Sequence, residues 1–62
     1  MTPLPKEPGT IILFPYKNEV VKAVLEPSGY WSLPGRSKNS YLESNLVIIY
    51  SIENYIIVEE TN

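Results

Sequence analysis

Few side chains in this chain could do acid–base, nucleophilic or metal chemistry. The 62 residues include neither cysteine nor histidine, so the ligands of most zinc sites and the commonest general base are missing. None of the six serines lies in a Gly-x-Ser-x-Gly turn, which would expose a catalytic hydroxyl. Glu59 and Glu60 are adjacent, and neighbouring residues of a strand point to opposite faces, so they do not form a catalytic pair. We therefore predict that the protein is not an enzyme and holds no metal and no cofactor.

The segment 28–44, SGYWSLPGRSKNSYLES, has the aromatic and basic composition of a surface that binds single-stranded nucleic acid. The alternative is that its tryptophan fills the core. On a strand, Trp31 and Leu33 share one face, and the other face is more polar, so we predict that this pair is buried. The segment has two basic residues, Arg36 and Lys38, which would release few counterions from a nucleic acid. The net charge of the chain is −2, so nucleic acid is a poor candidate partner.

Segments with strand composition recur along the chain, separated by turn residues. They are TIILFPY, EVVKAVLE, YWSL, LVIIYS and NYIIVEE. Pro15 cannot donate to a neighbouring strand, so the first strand is expected to lie at a sheet edge or to end there. The stretch SYLE matches a helix capping box, with Ser40 at the cap and Glu43 three residues later. We predict an all-β fold, a small five-stranded antiparallel barrel or roll (SH3-like), with one short helical turn near residues 41–45.

The chain is expected to form one small domain preceded by an arm. Prolines fix the backbone of residues 1–9, which we predict to be an extended proline-rich N-terminal arm, with a single small β domain at 10–60. No apolar run approaches the roughly 20 residues that a membrane-spanning helix needs. We therefore expect a soluble, cytoplasmic protein with no membrane partner.

The apolar C-terminal segments carry more apolar residues than one thin sheet covers, so either the barrel closes over them or a protein partner does. YIIV is uncharged and prone to edge pairing, and the two glutamates after it resemble charges that discourage such pairing. We predict an accessible edge at 54–60, through which copies of the chain could associate. The candidate interaction surface comprises Tyr30, Arg36, Lys38, Tyr41, Tyr55, Ile57 and Glu59.

Three stretches, LPKEPGTII, GYWSL and YLESNLVIIY, resemble short uncharacterised proteins of actinobacterial phages and prophages. The resemblance is strongest at Glu7-Pro8-Gly9-Thr10 and covers about residues 4–50. It implies a phage or prophage accessory protein and supplies no catalytic residues. The function predicted from the sequence is that of a non-enzymatic protein-binding module. The alternatives are a weak nucleic-acid-binding small barrel and a self-associating structural protein.

Overall fold

The computed structural model describes residues 3–37 and 40–58. Its elements in chain order are β1 (Ile11–Tyr16), β2 (Glu19–Leu25), β3 (Trp31–Ser32), β4 (Ser40–Tyr41), α1 (Glu43–Tyr50) and β5 (Ile56–Val58). The strands form one antiparallel sheet in the order β4-β3-β2-β1-β5. The prediction of a small five-stranded antiparallel domain is confirmed at this level, and the sheet is open.

The β1–β2 hairpin is the longest pairing in the sheet and joins two segments that the sequence predicts to be strands, TIILFPY and EVVKAVLE. Six consecutive residue pairs join the two strands, from Ile11 opposite Val24 to Tyr16 opposite Glu19. Of the two alternatives for Pro15, the sheet edge is wrong, because β1 lies between β2 and β5, whereas β1 does end close to Pro15, at Tyr16. β5 pairs only with residues 11–13, so Pro15 lies where β1 has a partner on one side alone.

The segment LVIIYS, predicted to be a strand, is mostly helix. α1 buries Leu46, Val47 and Tyr50 and exposes the two isoleucines between them, a spacing of one helical turn. A short apolar run has no period that separates strand from helix, and its β-branched residues favoured the strand interpretation. Packing against the sheet favours the helix over the strand, because only a helix brings these three side chains onto the same face of the sheet.

The predicted capping box is also wrong. Ser40 belongs to β4, where it pairs with Ser32, and the residue that precedes the helix is Leu42, which makes no side-chain cap. The helix therefore begins at Glu43, two residues later than the predicted turn, and runs to Tyr50. It ends at Ser51, which adopts the left-handed conformation with φ 50° and donates its N–H to Val47 O.

The core lies between one face of the sheet and α1. It comprises Leu4, Ile12, Phe14, Val21, Ala23, Leu25, Trp31, Leu33, Tyr41, Leu46, Val47, Tyr50 and Ile52. Trp31 is 1% exposed and Leu33 is fully buried, which confirms the prediction that this pair faces inward. Leu4 contributes to the core from the arm, where residues 3–8 form neither helix nor strand.

Candidate interaction surface

The two faces of the sheet differ in what covers them. Residues opposite one another in an antiparallel pair point to the same face, so the pairing assigns every side chain of β1, β2 and β5 to a side. Ile12, Phe14, Val21 and Ala23 lie on the side that α1 covers, and all four are buried. The other side, called the outer face below, carries no helix among the residues that the structure describes.

The outer face of β5, β1 and β2 is apolar at seven of its eight positions. Lys22 is the exception, opposite Leu13. The seven are Ile11, Leu13, Pro15, Val20, Val24, Ile56 and Val58. An antiparallel sheet with one solvated face ordinarily alternates apolar and polar residues, so this face lacks the polar side chains that water requires.

Several outer-face residues are exposed, and they lie next to one another across the strands. Val20, opposite Pro15, is 67% exposed, and Ile56, opposite Leu13, is 62% exposed. Ile11 is buried on the same face, between Val24 and Val58, and it does not belong to the main core cluster. The outer face is therefore a continuous apolar surface across three strands.

An apolar groove of about 320 Å³ lies at the end of this surface. Its lining consists of Leu13, Phe14, Pro15, Val20, Asn54, Tyr55 and Ile56. Asn54 supplies the only side-chain amide, and no charged residue lines the groove. The groove therefore suits an apolar side chain better than a charged one.

One side of β5 is unpaired within the part of the chain that the structure describes. β5 is the last strand of the sheet and pairs only with β1, so the opposite row of backbone N–H and C=O groups faces away from the sheet. Ile56, Ile57 and Val58 carry no charge that would discourage another strand from pairing there. At the other end of the sheet, β4 is two residues long.

The arm contacts both the segment before β5 and the helix α1. The Tyr55 hydroxyl donates to Pro3 O at 2.9 Å. The backbone N–H of Leu4 donates to Glu43 Oε2 at 3.1 Å, and Lys6 Nζ forms an ion pair with the other carboxylate oxygen. Partial burial raises the pKa of the Glu43 carboxyl, but the hydrogen bonds from Lys6 and Leu4 and the Lys6 charge outweigh it, so this pKa lies below its ordinary value.

A second, polar groove of about 560 Å³ includes part of the predicted aromatic and basic surface. Arg36 lines it, but its Nη2 forms an ion pair with Glu19 Oε1 at 2.8 Å. The Tyr50 ring packs edge-on against Phe14, Tyr16 and Tyr41. Burial raises the pKa of the Tyr50 phenol and its hydrogen bond with Tyr41 adds to the rise, so this group stays neutral at ordinary pH. The groove thus presents a paired cation and a neutral phenol.

The structure separates the residues of the candidate interaction surface. Tyr30 is 43% exposed in the turn before β3, whereas Tyr41 is buried in the core, which corrects its placement on a surface. Tyr55 is half-buried beside the arm, and Ile57 is exposed on β5. Lys38 and Glu59 lie outside the described residues.

The outer face was not predicted from the sequence. Ile56 and Val20 belong to it and were not among the predicted site residues. The available signal was the opposite face of EVVKAVLE, where Val20 and Val24 flank Lys22. That pattern becomes informative once the neighbouring strands are known, because an apolar patch is a property of several strands together.

Neither metal-binding groups in the described residues nor similarity to known proteins indicates a function. Within residues 3–37 and 40–58, no group of three or more acidic side chains could hold a metal ion. No helix in that part of the chain is long and apolar enough to cross a membrane. Comparisons with protein-family models, with curated proteins and with solved structures found no match.

Proposed function

We propose that this chain is a non-enzymatic protein-binding module and that its partner covers the outer face. The observation that carries the proposal is the apolar character of that face across β5, β1 and β2. Contiguous apolar patches of this kind mark interaction sites, whereas singly scattered apolar residues do not. The partner it fits is a protein surface that is itself apolar and that offers an acceptor to Lys22.

The architecture of the sheet and helix is also part of what we propose. We infer an SH3-like roll, and three features support it. Four strands follow one another as a meander, a short helix comes next, and β5 then returns to pair with β1. The likeness is one of architecture and brings no function with it.

A nucleic-acid partner has little support in the geometry. Base stacking needs exposed aromatic rings beside free cations, but Trp31 and Tyr41 are buried and Arg36 is paired with Glu19. The phage or prophage origin and the cytoplasmic location also remain part of the proposal, and they rest on the sequence alone. The resemblance in Glu7-Pro8-Gly9-Thr10 is their best support.

Site-specific photo-cross-linking tests the proposed surface. A photoreactive amino acid replaces Val20 on the outer face, and in a matched control it replaces Ile48 on α1, which is 73% exposed. Both proteins are expressed in the source cell, irradiated and analysed by denaturing electrophoresis and mass spectrometry. We expect discrete protein adducts from position 20 and none from position 48. Absence of adducts at position 20, or equal adducts at both positions, would contradict the proposal.

A further inference from the structure

We propose that this chain also binds a second copy of itself, joined by antiparallel pairing of β5 with β5 about a two-fold axis. This inference goes beyond the proposed function, because the edge contact leaves both outer faces uncovered. The pairing would join the two sheets into one and make their outer faces continuous. The observations that point to it are the free side of β5, the lack of charge on its three residues Ile56–Val58 and its position beside the apolar outer face.

The free edge of β5 is complementary to itself. A two-fold axis makes the same residues meet in both directions, so the contact requires a surface that tolerates its own copy. Centred on Ile57, antiparallel pairing sets Ile56 of one copy beside Val58 of the other. Both residues lie on the outer face, so each copy extends the other's apolar surface.

The distribution of charge favours this edge-to-edge contact over stacking of the two outer faces. Lys22 lies on β2, which is separated from β5 by β1, so the lysine stays outside a contact between the two β5 edges. Stacking of the outer faces would instead bury Lys22, which is costly for an unpaired ammonium group. The opposite edge of the sheet is less suited to pairing with a second copy, because β4 has two residues and one of them, Tyr41, is buried.

The contact is small, so the dimer is weak. Three residues of β5 pair in each copy, and specific interfaces usually bury more than about 1,000 Å². We expect a dissociation constant of about 0.1–1 mM, which makes the dimer strongly dependent on concentration.

Sedimentation equilibrium of the whole chain tests the dimer, with loading concentrations from about 10 µM to about 3 mM, which bracket that constant. We expect the average mass to rise from 7.1 kDa towards twice that value. Ile56→Lys should weaken association at least tenfold, because a lysine on the strand edge opposes pairing. Ile48→Lys replaces another exposed isoleucine on α1 and should leave association unchanged. Circular dichroism confirms that both variants fold.

Amide chemical shifts provide a second measurement. In the folded wild-type chain, raising the concentration should shift the amide resonances of residues 56–58 more than those of α1. A mass that stays at 7.1 kDa throughout would overturn the dimer, and so would association that Ile48→Lys weakens as much as Ile56→Lys does. If the mass stays constant while the probe at position 20 captures a different protein, the dimer fails and the proposed function stands. If the mass stays constant and the probe at position 20 captures no protein, both proposals fail.

Discussion

Replacing Trp31 with alanine removes the side chain on which the short end of the sheet depends. Trp31 is 1% exposed and lies between β2 and β4, opposite Leu25 on one side and Tyr41 on the other. β3 has only two residues, and Trp31 is the one that belongs to the core. We expect Trp31→Ala to lower the free energy of unfolding by about 3–5 kcal/mol, the usual loss for a buried tryptophan.

That loss is comparable with the whole stability of the domain. At about 0.05–0.15 kcal/mol per residue, a chain of 62 residues has a free energy of unfolding of about 3–9 kcal/mol. Trp31→Ala should therefore be largely unfolded or melt far below the wild type. The adjacent Tyr30 is 43% exposed and provides the matched control, since Tyr30→Ala should cost less than about 1 kcal/mol.

Urea unfolding followed by far-ultraviolet circular dichroism measures both variants, because the backbone gives that signal even in a chain without tryptophan. In the wild type, the emission of the single tryptophan should be blue-shifted and should move to longer wavelength in the same transition. If Trp31→Ala unfolds at the wild-type midpoint, or if Tyr30→Ala loses as much stability, the burial argument is refuted.

Two further variants test the ends of α1. The pKa of Glu43 lies below its ordinary 4.5 in the folded chain, so its contribution is complete above that value and is lost as the pH falls through the lower folded pKa. Glu43→Gln should cost about 0.5–1 kcal/mol at neutral pH and flatten this acid-dependent loss in urea midpoints, whereas an unchanged pH dependence would contradict the role of the carboxylate. At the other end, Ser51→Gly relieves a left-handed residue with φ 50° and should raise the thermal midpoint, with a gain of up to about 1 kcal/mol. Ser44→Gly, inside the helix, should lose about that amount, and equal effects of the two glycines would refute the strain argument.

Alternation in the sequence was sufficient for the central part of the fold. In EVVKAVLE the alternation places Val21, Ala23 and Leu25 on one face of a strand, and all three are buried. Trp31 and Leu33 were assigned inward by the same rule. The rule works here because side chains of a strand alternate strictly, so one buried residue fixes the direction of its neighbours.

The candidate site was harder to predict, because exposure depends on what covers a residue. Tyr41 was placed on a surface for its type and its basic neighbours, but the Tyr50 ring packs against it in the core. Ile56 lies on the last strand of the sheet, on the side opposite α1, and is 62% exposed. No local pattern distinguishes these two outcomes.

The sequence by itself determined a small domain without cysteine or histidine, the two strands of the β1–β2 hairpin and the inward face of β3. Tertiary structure alone decided that LVIIY forms a helix, that β1 is an inner strand and that the outer face is apolar across three strands. The physical reason is the range of the interactions. Turn chemistry and strand alternation act between residues close in the chain, whereas burial depends on residues far apart in the chain, such as Leu4, that pack against one another.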